Sequence, residues 1–168
     1  ALPILGGDDQ LLFGYVSCCS ENAAFTNAAA GTFTIATSHA TPIAQALYAG
    51  GSFINAGRLI KQQAGVQTID LVKYRTGSFQ NTGTVAVEAG TLRIDADGAD
   101  TGRYQLASDA VLAFGGGVRS LSAGALPQAG TLEVSGGTLN VNVDAGEAAS
   151  VPNVRVIGRS EEHTSEFQ

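Results

Sequence analysis

Apolar residues in this chain alternate with other residues over short stretches, and a glycine opens each stretch. The clearest examples are GTVAVEAGTLRI, residues 83–94, and GTLEVSGGTLNV, residues 130–141. Val85 and Val87 point one way in such a pattern. So do Leu92 and Ile94, with Arg93 opposite, and likewise Leu132 with Val134 and Leu139 with Val141. Period two predicts strands of about five residues. The opening glycine supplies a bend, and the threonine after it is β-branched and suits a strand. The Gly-Thr unit recurs after 7 residues inside each copy, and the whole copy recurs after 47 (130 − 83). GTFTI from Gly31 is a further copy, and GRYQL and AVLAF form a degenerate pair across 102–114.

Strands this close in sequence leave no room for the crossover helices of a βαβ sheet. They could pair as hairpins, but the corners Glu88-Ala89 and Ser135-Gly136 are not the Asn-Gly type that hairpins favour. A chain that turns each corner and continues fits better. The predicted fold is all-β, a parallel β-helix (β-solenoid) in a single elongated domain, with coils stacked about 4.8 Å apart.

A second pattern, F-x-N, occurs in FTNAAAG at 25–31, FINAG at 53–57 and FQNTG at 79–83. Its offsets are 28 and 26 residues (53 − 25, 79 − 53), and 47 is about two such coils. Stacking in register predicts an internal column of Phe25, Phe53 and Phe79. A parallel column of Asn27, Asn55 and Asn81 is predicted to form an amide ladder. Residues 1–24 read as an irregular N-terminal segment or partial coil, 25–158 as solenoid repeats, and 159–168 as a separate tail. TPIAQALYAGG, 41–51, reads as a helical turn or a loop between coils.

Composition narrows the function classes. Glycine, at 22 of 168 residues, is about twice its usual share. The formal charge is −6 and the nine basic residues are scattered, which argues against nucleic acid as a partner. No apolar run is long enough for a transmembrane helix. Cys18-Cys19 are adjacent, a strained geometry for a mutual disulfide, and no second pair completes a soft-metal site. With no methionine anywhere, the chain reads as an internal fragment.

At 52–94 the run GSFINAGRLIKQQAGVQTIDLVKYRTGSFQNTGTVAVEAGTLRI resembles the F-x-N-x-G-T repeats of autotransporter-passenger and haemagglutinin-like β-solenoids of bacteria. The resemblance covers about 25–143. It implies a right-handed β-helix, export to the bacterial cell surface or beyond, and a stalk or adhesive role. It also implies partners among host or environmental glycans or surface proteins, and it supplies no catalytic or cofactor-binding residue.

Candidate chemistry is sparse. Carbohydrate-active β-helices converge carboxylates on one face, and here Glu88, Arg93, Asp95 and Asp97 are the only such concentration. DADGAD offers Asp95, Asp97 and Asp100 as weak Ca²⁺ candidates, but it lacks the glycine and glutamate positions of an EF-hand, so a solvated acidic turn is the simpler expectation. GGDDQLLFG, 6–14, matches half of a Ca²⁺-binding nonapeptide through Gly7, Asp9 and Leu11. Gly115–Gly117 reads as a turn, since no P-loop follows it, and His39 reads as a lone loop histidine. The expectation is a structural or adhesive segment without catalysis, the alternative being a carbohydrate-binding or carbohydrate-active β-helix.

The ending RSEEHTSEFQ, 159–168, does not fit a solenoid. Its first eight residues can be encoded by AGA TCG GAA GAG CAC ACG TCT GAA, the start of a common sequencing adapter, and Phe167 departs from the adapter by one base. Without this tail the net charge is about −4 (−6 + 2).

Overall fold

The computed structural model describes residues 3–14, 22–46, 50–73, 77–143 and 153–158. Cys18-Cys19 and the tail 159–168 lie outside them. Through β15, three strands make each coil, one on each of three sides. The first side stacks β1 (Ile4–Leu5), β4 (Thr32–Ile35), β7 (Arg58–Lys61), β10 (Thr84–Val87) and β13 (Arg103–Leu106). The second stacks β2 (Leu11–Phe13), β5 (Ile43–Gln45), β8 (Val66–Asp70), β11 (Thr91–Asp95), β14 (Val111–Gly116), β16 (Thr131–Val134) and β18 (Val154–Val156). The third holds β3 (Asn22–Asn27), β6 (Gly50–Asn55) and β9 (Ser78–Asn81), then β12 (Gly98–Asp100), β15 (Val118–Ser122) and β17 (Thr138–Asn142). A Ser78–Asp97 bridge joins its two halves. Among the described residues every strand pairing is parallel. The fold is a parallel β-solenoid, as the alternating pattern predicts.

Parallel register with period two sends every second residue inward, so like residues pile into columns. One inward column of the second side reads Ile43, Ile69, Ile94, Phe114, Val134. Phe25, Phe53 and Phe79 also stand in register. Their rings stack, with centroids 5.1 and 5.7 Å apart. A single apolar cluster runs from Phe13 to Leu132.

Within 1–24, β1 and β2 join the first two sheets. Two particulars depart from the sequence reading. Ile43–Gln45, read as a helical turn or loop, is a buried strand instead, because Ile43 falls in the column of Ile69. Residues 47–49 of the same stretch lie outside the described residues.

The second concerns the 47-residue repeat. It is not two coils. Thr91 pairs with Val111 and Val111 with Thr131, so two coils here span 40 residues (131 − 91). The remaining 7 residues are one strand and its corner. GTVAV therefore lies on the first side and GTLEV on the second, while GTLRI lies on the second and GTLNV on the third. The Gly-Thr unit is a module of one side, reused on whichever side the chain has reached. Coils shorten because one corner shortens: residues 71–77 follow β8, but only Ala96 and Asp97 follow β11.

Candidate functional site

The acidic concentration seen in the sequence divides into an outward group and a buried one. In β11, Leu92 and Ile94 point inward, so Arg93 and Asp95 point out. Asp95 stands in register with Asp70 of β8, which places two carboxylates in one outward column. Arg93 lies between charge and backbone: its Nε is 2.9 Å from both oxygens of Asp95, and its Nη2 donates to the Gly115 carbonyl at 3.1 Å. A Cβ on Gly115 would sit 2.2 Å from the guanidinium, so glycine there lets Arg93 lie flat. The Gly115–Gly117 run is thus more than a turn. It forms an irregularity opposite Ile94 and Asp95, where the register of β14 shifts by one residue.

Asp97 and Glu88 stand apart from that pair. Asp97 accepts the Val118 amide at 2.7 Å, holding the corner after β14. Glu88 is exposed and accepts from Gln62 at 3.2 Å. Asp100, expected in a solvated turn, is 1 % exposed. The reason is register: the Ser78–Asp97 bridge puts Asp100 opposite Asn81, an inward position. Asp95, Asp97 and Asp100 therefore do not converge. Among the described residues no group of three or more His, Cys, Asp or Glu side chains is placed to hold a metal ion. His39 is half-buried, and its Nδ1 accepts the Thr41 amide at 3.0 Å.

The asparagine column is a continuous chain of side-chain hydrogen bonds. Asn27 Nδ2 donates to Asn55 Oδ1 at 2.7 Å, and Asn55 Nδ2 to Asn81 Oδ1 at 2.9 Å. Each Nδ2 also donates to a carbonyl of the next coil, at Arg58, Thr84 and Arg103 respectively. The last side-chain amide thus ends on the Arg103 carbonyl, while Asp100 Oδ1 accepts the Asn81 backbone N–H at 2.8 Å.

Two buried cations escape the sequence reading. Arg119 of β15 is 1 % exposed and pairs with Asp100 Oδ2, which also accepts the Tyr104 hydroxyl at 2.8 Å. Gly98 stands one coil below Arg119, at the step where the phenylalanine column would continue. The space lets the guanidinium lie 5.5 Å from the Phe79 ring centroid and 5.2 Å from that of Phe114. Burial, and then the Asp100 charge, push the Tyr104 hydroxyl well above its ordinary pKa. Burial would lower Arg119, but Tyr104 and Asp100 beside it outweigh that and raise it. The second cation is Lys61, which stands in the inward column between Ile35 and Val87. Its Nζ donates to the carbonyls of Gln63, Gly65 and Ala89. The unit GRYQL marks Tyr104 as an inward position, but nothing in the repeat pattern singles out Arg119 or says which charge meets which.

No protein-family profile matches this chain, and no curated protein or solved structure matches it.

Proposed function

We propose that the native part of this chain is a structural and adhesive segment of a larger exported bacterial surface protein, with no catalysis of its own. The asparagine ladder is the observation that carries this reading. Its amides are spent on coil-to-coil bonds, and Asp97 and Asp100 are spent the same way. Polar groups committed to stacking build length and rigidity, which suit a stalk that presents a surface. An antiserum against the solenoid, applied to intact cells of the source organism, tests it. Labelling that external protease removes is expected. Labelling seen only after lysis would refute surface display. The reading needs no cofactor, so added Ca²⁺ is expected to leave the melting temperature unchanged.

One observation favours the alternative, a carbohydrate-active β-helix: Asp70 and Asp95 share an outward column beside Arg93. Turnover of acidic or neutral glycans that is lost in Asp70→Asn would establish it.

The same proposal takes residues 159–168 as translated adapter. Genomic DNA amplified from the source organism is expected to diverge from RSEEHTSEFQ after Gly158. The same ten codons in that DNA would overturn the assignment.

A further inference from the structure

The outer face of the first side differs in charge from the rest of this acidic chain. Its outward strand positions are Ile4, Thr32, Thr34, Arg58, Ile60, Thr84, Ala86, Arg103 and Gln105, without an aspartate or glutamate among them. Arg58 and Arg103 share one column with Thr84 between them. Neighbouring strands lie about 4.8 Å apart, so the two arginines stand roughly 10 Å apart along the solenoid axis. Both are exposed, and the Arg103 guanidinium has no partner among the described residues. Arg58 leans toward β13, its Nη1 donating to Gln105 Oε1 at 3.3 Å.

Above β13 this side is interrupted. The second side continues through β16 and β18, and the third through β17, but the first sheet ends at β13. Residues 123–130 pass there as a 3₁₀ turn, Ala123–Ala125, followed by Pro127, which has no N–H to give a ladder. The result is a notch of about 320 Å³ lined by Arg103, Gln105, Leu106, Leu126, Gln128 and Ala129. Arg103 and Ala107 donate their amides to the Gly83 and Val87 carbonyls, so the Tyr104 and Leu106 backbone groups between them point toward the notch.

We propose that this face binds oligosaccharides built of carboxylate-bearing sugars, with one sugar unit in the notch and the carboxylates on Arg103 and Arg58. The guanidinium fork matches a planar carboxylate. Thr84 and Gln105 supply hydroxyl and amide partners for sugar hydroxyls, and the aliphatic Leu106, Leu126 and Ala129 meet the C–H face of a ring. An acidic peptide strand fits less well. The segment returns against β13 so closely that a Cβ on Gly130 would lie 2.8 Å from the Leu106 Cβ, which leaves no width for an added strand. The proposal names the ligand class of the adhesive reading and rests on it. Its failure is distinguishable, because surface labelling does not depend on the ligand.

The test is titration of the full chain with oligogalacturonate, its methyl ester, a sulfated oligosaccharide without carboxylates, and an oligoglutamate peptide. Saturable binding to oligogalacturonate is expected, weakening as salt rises, with the methyl ester binding much less. Arg58→Gln and Arg103→Gln are each expected to weaken binding roughly three- to tenfold with unchanged melting. Arg155→Gln removes the same charge from the second side and is expected to leave affinity unchanged. Equal losses in all three variants would reduce the effect to net charge and overturn the site. Absence of oligogalacturonate binding, or equal or tighter binding of the ester, the sulfated sugar or the peptide, would overturn the ligand class. Ala129→Tyr fills the notch and is expected to lower affinity. Full affinity in that variant would overturn the placement of a sugar unit there.

Discussion

Asn55 donates its side-chain Nδ2 to Asn81 Oδ1 across one coil step at 2.9 Å, and both residues are fully buried. Asn55 also accepts from Asn27, so it is the middle rung. Removing it strands one N–H of Asn27 Nδ2, whose other bond goes to the Arg58 carbonyl, and the buried Asn81 Oδ1. Each unsatisfied group costs about 1–3 kcal/mol. Asn55→Ala is therefore expected to destabilise the chain by roughly 2–5 kcal/mol, read from the denaturant midpoint. A loss below about 1 kcal/mol would mean that water or a neighbour completes the ladder.

The Asp100–Arg119 pair obeys a different rule. Removing one partner of a buried pair strands the other charge, at about 3–5 kcal/mol. Replacing both with apolar groups removes the stranded charge as well. Arg119→Met alone is expected to destabilise strongly, and the Asp100→Leu, Arg119→Met double variant less than the sum of its singles. Additive losses in the cycle would show that the two side chains do not sense each other, despite their contact.

The repeat was legible because stacking writes itself into sequence. The F-x-N copies recur at coil spacing, and the register Phe25–Phe53–Phe79 follows it residue for residue. What misled was the assumption of one constant coil. The 47-residue copies share strand chemistry, not a shared side, and alternation cannot tell three sides apart when each needs the same Gly-Thr strand. Asp100 shows a second limit. Its neighbours Asp95 and Asp97 look like one acidic turn, yet the two-residue corner after β11 sends Asp100 inward. The face with Arg58 and Arg103 was invisible for a related reason: 45 residues of sequence separate two side chains that stand two strands apart.

Gly90 sits where both backbone angle and space exclude a side chain. Its φ is +63°, and a Cβ would lie 1.9 Å from the Ala64 carbonyl oxygen, which is backbone and cannot swing aside. Gly124 has no atom within 4 Å of such a Cβ. Gly90→Ala is expected to cost at least about 1–3 kcal/mol, while Gly124→Ala stays within about 0.5 kcal/mol of the native chain. Equal melting temperatures for the two variants would refute the distinction.

Lys61 gives the chain a signature at alkaline pH. Burial lowers its pKa from 10.5 to about 8. Three carbonyl acceptors hold the ammonium, yet they do not replace the whole hydration shell it loses. Below pH 8 the lysine is charged in both the folded and the unfolded chain, and the folded state bears the full desolvation cost. Between pH 8 and 10.5 the unfolded chain binds more protons than the folded one, so this residue makes stability rise with pH across that window. Above 10.5 both states are neutral and the contribution levels off. Tyrosines and cysteines titrate in the same range, so the quantity to measure is a difference. Denaturant unfolding of the native chain and of Lys61→Met is followed from pH 7 to 11. The native chain is expected to gain stability relative to the variant as pH rises, whatever the variant loses at neutral pH. Parallel curves would show that the three carbonyls hold the ammonium as well as water does, and that its pKa is not lowered.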